Sequence, residues 1–426
     1  MTSTTSLCVS LPAVWWAVLF FPAACGSAIQ SEVPRVRTGA DVLVHDSLHL
    51  VKGKRVGVIC NRASILADGR HVLDAFRESS VEVVAVFAPE HGFDARAEAG
   101  ALIPDTSSSG VRVYSLYGPR KKPDPRTLAE MDLLVYDLQD IGVRYYTYCS
   151  TLALCMEASA ETGTPFLVLD RPNPITGTAV EGPLPAGKGQ GFVGMLPLPA
   201  RHGMTVAEIA RMICGEGWIR NGRSLELTVI PMQGWRRDMW FEETGLPWVP
   251  PSPNITSVDA ALAYAGTCLL EGASVSEGRG TGEPFLCFGA PFLDAETTAS
   301  CLNARSLGGV RFEPVVFTPS PSAPPGTKFA GRTCHGARLV ITDRDMFKPV
   351  QTGACILECL WTLAGERLEP TGYIDTLIGQ AGFRDAIVGH PDIEALASFV
   401  GAALTPFMER RSRYLIESYG TAGMER

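Results

Sequence analysis

The sequence predicts an α/β protein built on a parallel β-sheet, and three observations carry that expectation. Four short runs, 54–60 (KRVGVIC), 81–87 (VEVVAVF), 131–137 (MDLLVYD) and 164–170 (TPFLVLD), are apolar and rich in β-branched residues on both faces. Strands covered by helices on each side have that pattern. The segments between them, such as 65–78 and 147–162, read as helices or loops long enough for crossover connections, and parallel neighbours need such connections. Each run also ends in polar or ionisable residues. Open α/β sheets hold ligands beyond the carboxyl ends of their strands.

Taken in order, the first strand delivers Asn61, Arg62 and Ser64. The second runs into Pro89, Glu90, His91 and Gly92, where Pro89 and Gly92 predict a turn around the two ionisable groups. The third delivers Asp137, Gln139 and Asp140, then Arg144, Tyr145 and Tyr146; the fourth delivers Asp170, Arg171 and Asn173. One polar strand end is ordinary, but four that carry a Glu–His pair and several arginines predict one pocket rim. Arg62, Arg144 and Arg171 are therefore expected in a single cleft with Glu90.

Further along, 202–218 reads as a helix opened by a Thr205–Glu208 capping box, and 225–231 as a strand. Residues 233–255 form a long loop rich in Trp and Pro. A helix over 257–270 leads into the glycine-rich 271–285, whose Glu277 and Arg279 are expected to close over the rim. From 286 on, strand-like 311–319 and 337–345 alternate with helices near 350–364 and 391–417. The expected organisation is an export segment over 1–30, a catalytic α/β domain over 31–285 and a smaller α/β (α+β) domain over 286–426.

A chain of 426 residues with 46% hydrophobic content holds two domains with ample core. Its net charge of −8 argues against nucleic acid as a partner. Residues 7–25 are apolar and uncharged, and small residues follow them, as in an export signal. Cys25 in PAAC resembles a loose lipoprotein box, so the expected location is either free in the periplasm or attached to the membrane through the N-terminus, by a lipid on Cys25 or by a retained transmembrane helix. The cysteines sit mostly in apolar runs and read as buried thiols; export leaves room for one or two disulfides, which the sequence does not pair. No spacing supports zinc. Neither a GxxxxGK[ST] loop nor a strand-GxGxxG-helix fingerprint occurs, so no nucleotide cofactor is expected.

The motifs NRAS (61–64), FAPEHGF (87–93), YSLYG (114–118), DLQDIGVRYYTY (137–148), LDRPNP (169–174), VEGP (180–183), EGRGT (277–281) and ITDRD (341–345) resemble, in order, those of the exo-β-N-acetylmuramidases. That family of peptidoglycan hexosaminidases was long grouped as a domain of unknown function. The resemblance implies a Rossmann-like first domain, a smaller α/β second domain, and release of terminal N-acetylmuramic acid from the non-reducing end of peptidoglycan-derived saccharides.

Glycoside cleavage needs a proton donor for the leaving oxygen and a second group at the anomeric carbon. Glu90 is the expected donor, because a strand end behind Pro89 is a partly desolvated setting that suits a carboxylic acid. His91 would orient it. Asp137, Asp140, Glu181, Glu271 and Glu277 all qualify by type as the second group, and Asp137 and Asp140 are taken with Glu90 and His91 as the catalytic set. Retaining, inverting and substrate-assisted routes remain open at this level, because carboxylate separation decides between the first two. The lactyl carboxylate of muramic acid calls for an arginine fork, with Arg62, Arg144, Arg171 and Arg279 as candidates. Asn61, Gln139, Tyr145, Tyr146, Asp170, Asn173 and Glu277 complete the expected binding set. Trp235, Trp240 and Trp248 either stack on sugar or pack their own loop. Two competing readings are a Ser/His hydrolase using Ser64 or Ser150 with His91 or His202, for which no G-x-S-x-G elbow exists, and a non-catalytic envelope protein that binds muropeptides or acidic sugars.

Overall fold

The computed structural model describes residues 1–3, 36–108, 110–186, 191–389 and 404–421. The 7–25 segment and residues 391–403 of the helix expected over 391–417 lie outside them. Helix α1 (Gly39–Asp46) opens with a capping box in which Thr38 and Asp41 satisfy each other's backbone N–H groups. From β1 (Arg55–Cys60) the chain passes through α2 (Val72–Glu78) to β2 (Glu82–Ala88), then to β3 (Thr106–Ser108) and β4 (Val111–Ser115). The short helix α3 (Pro125–Leu128) leads to β5 (Leu133–Asp137), α4 (Tyr148–Thr162) to β6 (Phe166–Leu169), and α5 (Val206–Glu216) to β7 (Leu227–Ile230).

These strands form one sheet in the order β3-β4-β2-β1-β5-β6-β7, parallel throughout except for the β3–β4 pair. The chain steps outward from β1 to β2 and β4 on one side, then to β5, β6 and β7 on the other. The order reverses between β1 and β5, so the crevice of this doubly wound sheet opens at their carboxyl ends. Side chains alternate between two cores as the two-residue period requires. Val58, Val86, Val135 and Leu167 pack with Leu43 of α1 and Phe76 of α2, whereas Ile59, Phe87, Tyr136 and Val168 pack with Leu152 of α4 and Ile209 of α5. Burying each such side chain contributes about 1.5–3 kcal/mol, which explains why these four runs were legible as covered strands.

The second core continues into the smaller second domain, which is taken from Val258, whose helix packs on the later helix Pro349–Ala364, and not from residue 286 as expected. Helix α6 (Val258–Thr267) runs into a 3₁₀ turn (Cys268–Gly272), followed by β8 (Cys287–Ala290), α7 (Ala295–Asn303), β9 (Val310–Phe317) and β10 (Cys334–Ile341). The three strands form an antiparallel sheet in the order β8-β10-β9. Then come α8 (Pro349–Ala364), α9 (Tyr373–Ile378), α10 (Phe383–Val388) and α11 (Thr405–Ser412). Helices α6 and α8 touch through backbone, because a Cβ on Gly353 would stand 2.4 Å from the Gly266 carbonyl. Only glycine permits that approach. It fixes the 3₁₀ turn, against which α9 packs so closely that a Cβ on Gly272 would lie 2.4 Å from Ile374.

Several elements differ from the sequence expectation. Strands β3, β4 and β8 are short, and β3 and β4 are polar or only half-buried, so they carry little periodic signal. The helix expected from 65 starts only at Val72, because Ile65 and His71 bridge across a turn at Gly69. Cys301 of α7 and Cys359 of α8 are joined as a disulfide, while the other described cysteines are free thiols. Among the described residues, no helix is long and apolar enough to cross a membrane.

Candidate active site

Glu90 and His91 occupy a tight turn at the end of β2. Gly92 N donates to Pro89 O at 3.0 Å, and both His91 (φ 72°) and Gly92 (φ 75°) are left-handed. A histidine in that region costs on the order of 1–3 kcal/mol and persists only where its surroundings hold it. They do so here. The ring Nδ1 donates to Ala97 O at 2.7 Å, leaving Nε2 as acceptor. Burial pushes His91 below its usual range, outweighing the pull of Glu90, so the ring stays neutral near pH 7.

Both residues line an inner cavity, with Tyr145, Tyr146, Thr147 and Tyr264 among its walls. The Glu90 side chain is buried and fixed at each oxygen. Thr147 Oγ1 donates to Oε2 at 2.6 Å, and Gly100 N donates to Oε1 at 3.1 Å. Beside it, the Tyr117 hydroxyl is pushed up to about 12, first by burial and then by Glu90. An outer cavity shares Glu90, Thr147, Glu271 and Tyr373 with the inner one and opens past exposed residues.

The facing wall comes from the second domain's approach. Glu271 sits in the 3₁₀ turn, and Arg279 reaches it with Nη2 at 2.7 Å while Nη1 meets Glu277 at 2.8 Å. Burial works against the Glu277 carboxylate, but Lys328 and Arg279 more than offset it and hold the group below its usual range. Burial also opposes the Arg279 charge, and Glu271 and Glu277 keep it protonated. The guanidinium lies 5.0 Å over Phe285, with its Nε left without a partner among the described residues. Two carboxylates, Glu90 and Glu271, therefore line one cavity with a firmly charged arginine.

Apart from Tyr145 and Tyr146, the remaining expected residues do not share this rim. Asp137 and Arg171 grip each other in a buried fork at 2.5 and 2.8 Å, and neither lines the cavity. Asp140 accepts from Gly142 N at 2.7 Å and from the Cys149 thiol. Asp170 accepts from Thr205, Ala207 N and Tyr419, tying α5 and the C-terminal segment to the sheet. Arg144 is buried, donates to Leu377 O and Ile378 O at the end of α9, and is lowered to about 10 by desolvation. Arg62 lines a separate groove with His71 and Phe93. Asn61 bonds Tyr148 and Pro251 O, Gln139 bonds Asp140 O and Pro172 O, and Asn173 bonds Met204 O. The single cleft expected for Arg62, Arg144, Arg171 and Glu90 is not formed, because each of these arginines is used elsewhere. Tyr145 and Tyr146 do line the cavity, although the Tyr145 hydroxyl is committed to Ala265 O.

The tryptophans pack rather than line it. Trp235 stacks edge-on to Tyr419, Trp248 to Phe241, and Trp240 bonds Asp345. Their loop instead supplies Ser252 and Asn254 to the cavity. These two residues and Tyr373 gave no sequence signal, whereas Thr147 lay unremarked inside the DLQDIGVRYYTY motif. Ser64 and Ser150 each donate to a backbone carbonyl, which leaves neither poised as a nucleophile.

Asp140, Cys149 and His202 bring buried ligand-type atoms within 4.8 Å of one another, a cluster the spacing did not signal. His202 Nδ1 accepts from Met204 N, so in the neutral ring the proton is on Nε2, facing Asp140 at 3.5 Å. That arrangement satisfies the set by hydrogen bonds and leaves no imidazole lone pair for a metal.

Two family models cover the chain, the N-terminal part of exo-β-N-acetylmuramidase NamZ over residues 56–259 and its C-terminal part over 262–416. The chain belongs to the exo-β-N-acetylmuramidase family. It is 40% identical over 388 residues to the peptidoglycan β-N-acetylmuramidase NamZ of Bacillus subtilis (strain 168), covering 90% of this chain and 92% of that protein. Crystal structures of two DUF1343 family proteins from Bacteroides fragilis NCTC 9343 share this family fold. One matches with a TM-score of 0.82 at 32% identity, over 90% of this chain and 99% of its own; the other scores 0.72 at 31% identity, over 91% and 99%.

Proposed function

We propose that this chain is an exo-acting glycoside hydrolase that releases N-acetylmuramic acid from the non-reducing end of peptidoglycan fragments, as in cell-wall turnover. The observation that carries this reading is Glu90, buried and held at both oxygens in the wall of a cavity that Glu271 and Arg279 also line. In its protonated form Glu90 gives its proton to the glycosidic oxygen, and Thr147 and the Gly100 N–H keep it aimed. Glu271 takes over the second role first assigned to Asp137 and Asp140, either at the anomeric carbon or by orienting the 2-acetamido group. Arg279 is the arginine available to the lactyl carboxylate, with its guanidinium over Phe285 and its Nε unpaired among the described residues. The faces of Tyr146 and Tyr264, edge to face at 6.1 Å, enclose the sugar. An exported, envelope-facing location fits this substrate and the apolar 7–25 segment.

Product analysis tests the proposal. The protein should release free N-acetylmuramic acid from a disaccharide with that sugar at its non-reducing end and leave fragments ending in N-acetylglucosamine intact. Binding of the disaccharide without release at any pH would instead make this a muropeptide-binding protein.

A further inference from the structure

The outer cavity continues from Glu90, Thr147 and Glu271 past Tyr373 and Tyr117 to Phe192 and Lys121. In glycoside cleavage the acid protonates the bridging oxygen and so stands between the two sugars being parted. Glu90 lies in the wall common to both cavities. The buried inner space then takes the terminal sugar and the open outer space takes the fragment that leaves, an assignment that rests on the function proposed above.

The floor of the outer cavity is aromatic. The rings of Tyr117 and Phe192 are 6.2 Å apart, and Ser150 Oγ pins the Phe192 carbonyl at 2.6 Å. Over the Phe192 ring, 4.6 Å from its centre, stands Lys121 Nζ. Lys121 is the middle of three consecutive cations, and its neighbours are neutralised: Arg120 pairs with Asp105 at 2.5 Å, and Lys122 with Glu157 and Glu161 at 3.2 and 2.8 Å. Among the described residues, no carboxylate forms an ion pair with Lys121. The chain thus leaves one cation over a sugar-stacking surface, on the side away from the terminal sugar.

We propose that the outer cavity is a leaving-group subsite in which Phe192 meets a sugar face and Lys121 takes a carboxylate carried by the leaving saccharide. Peptidoglycan strands alternate N-acetylglucosamine with N-acetylmuramic acid, so the first leaving sugar is neutral and the next bears a lactyl group, which is a free carboxylate wherever its peptide has been removed. Fragments of three sugars or more are then the preferred substrates.

Two trisaccharides that differ only in the downstream lactyl group, free acid against methyl ester, test the subsite through the ratio of their kcat/KM values. The wild-type protein should favour the free acid about 3- to 10-fold, as a partly exposed charge pair allows, and added salt should erode the ratio. Lys121→Met should bring the ratio to about one, and Lys121→Arg should keep it. A wild-type ratio of one, or a preference that survives in Lys121→Met, overturns the subsite while leaving the hydrolase reading intact. If the wild-type protein releases no muramic acid from either trisaccharide, the proposed function falls and takes the subsite with it.

Discussion

The ends of β1, β5 and β6 and the wall around Glu90 carry the same residue types, but they use them in opposite ways. At the strand ends the carboxylates are consumed inside the protein: Asp137 by Arg171, Asp170 by Thr205, Ala207 N and Tyr419, and Asp140 by Gly142 N and Cys149. Around Glu90 the carboxylates are held from behind and face open volume. The difference teaches that a strand end at the switch point of a doubly wound sheet is a place where chemistry can be built, not evidence that it was. Here the crevice floor became a structural knot, and the reactive space formed one strand further out, where the second domain closes over the β2 turn.

The contrast breaks first at Glu90 itself. Glu90→Gln should lower kcat by roughly 10² to 10⁴-fold with the unfolding midpoint nearly unchanged, and near wild-type turnover would sink the assignment. Asp137→Asn should do the reverse. Removing one partner of a buried ion pair costs about 3–5 kcal/mol, so denaturant unfolding should shift strongly while the folded fraction keeps its specific activity. A folded Asp137→Asn protein that is stable but inactive would return Asp137 to the catalytic set.

Arg279 divides the two regions more finely, because it is both paired and cavity-facing. Arg279→Met should lower kcat/KM for muramic acid substrates by roughly 10 to 150-fold, the scale of a charge-assisted hydrogen bond. An N-acetylglucosaminide analogue should stay equally poor. An equal loss on both substrates would assign Arg279 to holding Glu271 alone.

The smallest effect concerns Glu181, a half-buried carboxyl outside both cavities. Burial pushes it up to about 7 despite the Gln351 N–H and Arg201. A carboxyl with a raised folded-state pKa binds its proton more tightly when folded, so its stabilisation is full below the ordinary carboxylate range and is lost as pH rises toward 7. Urea midpoints should therefore fall between pH 4 and pH 8, by on the order of 1–3 kcal/mol from this group. Glu181→Gln should flatten that slope. An unchanged slope would locate the pH dependence elsewhere.

The sequence by itself determined the covered strands β1, β2, β5 and β6, the Thr205–Glu208 capping box and the turn that presents Glu90 and His91. Each depends on local spacing: two-residue alternation of apolar side chains, a cap closed over three residues, or a glycine next to a strand end. Only the tertiary structure decided which charges stay available. Asp137 and Glu90 follow similar apolar strands, and nothing nearby in the chain says that Arg171 will neutralise one while Thr147 merely steadies the other. Glu271, Arg279 and Tyr373 reach the cavity because Gly266 and Gly353 let α6 and α8 touch and Gly272 lets α9 close against the turn. Such contacts join residues far apart in sequence, and a charge's reactivity depends on its nearest partners in space, which residue type and spacing do not encode.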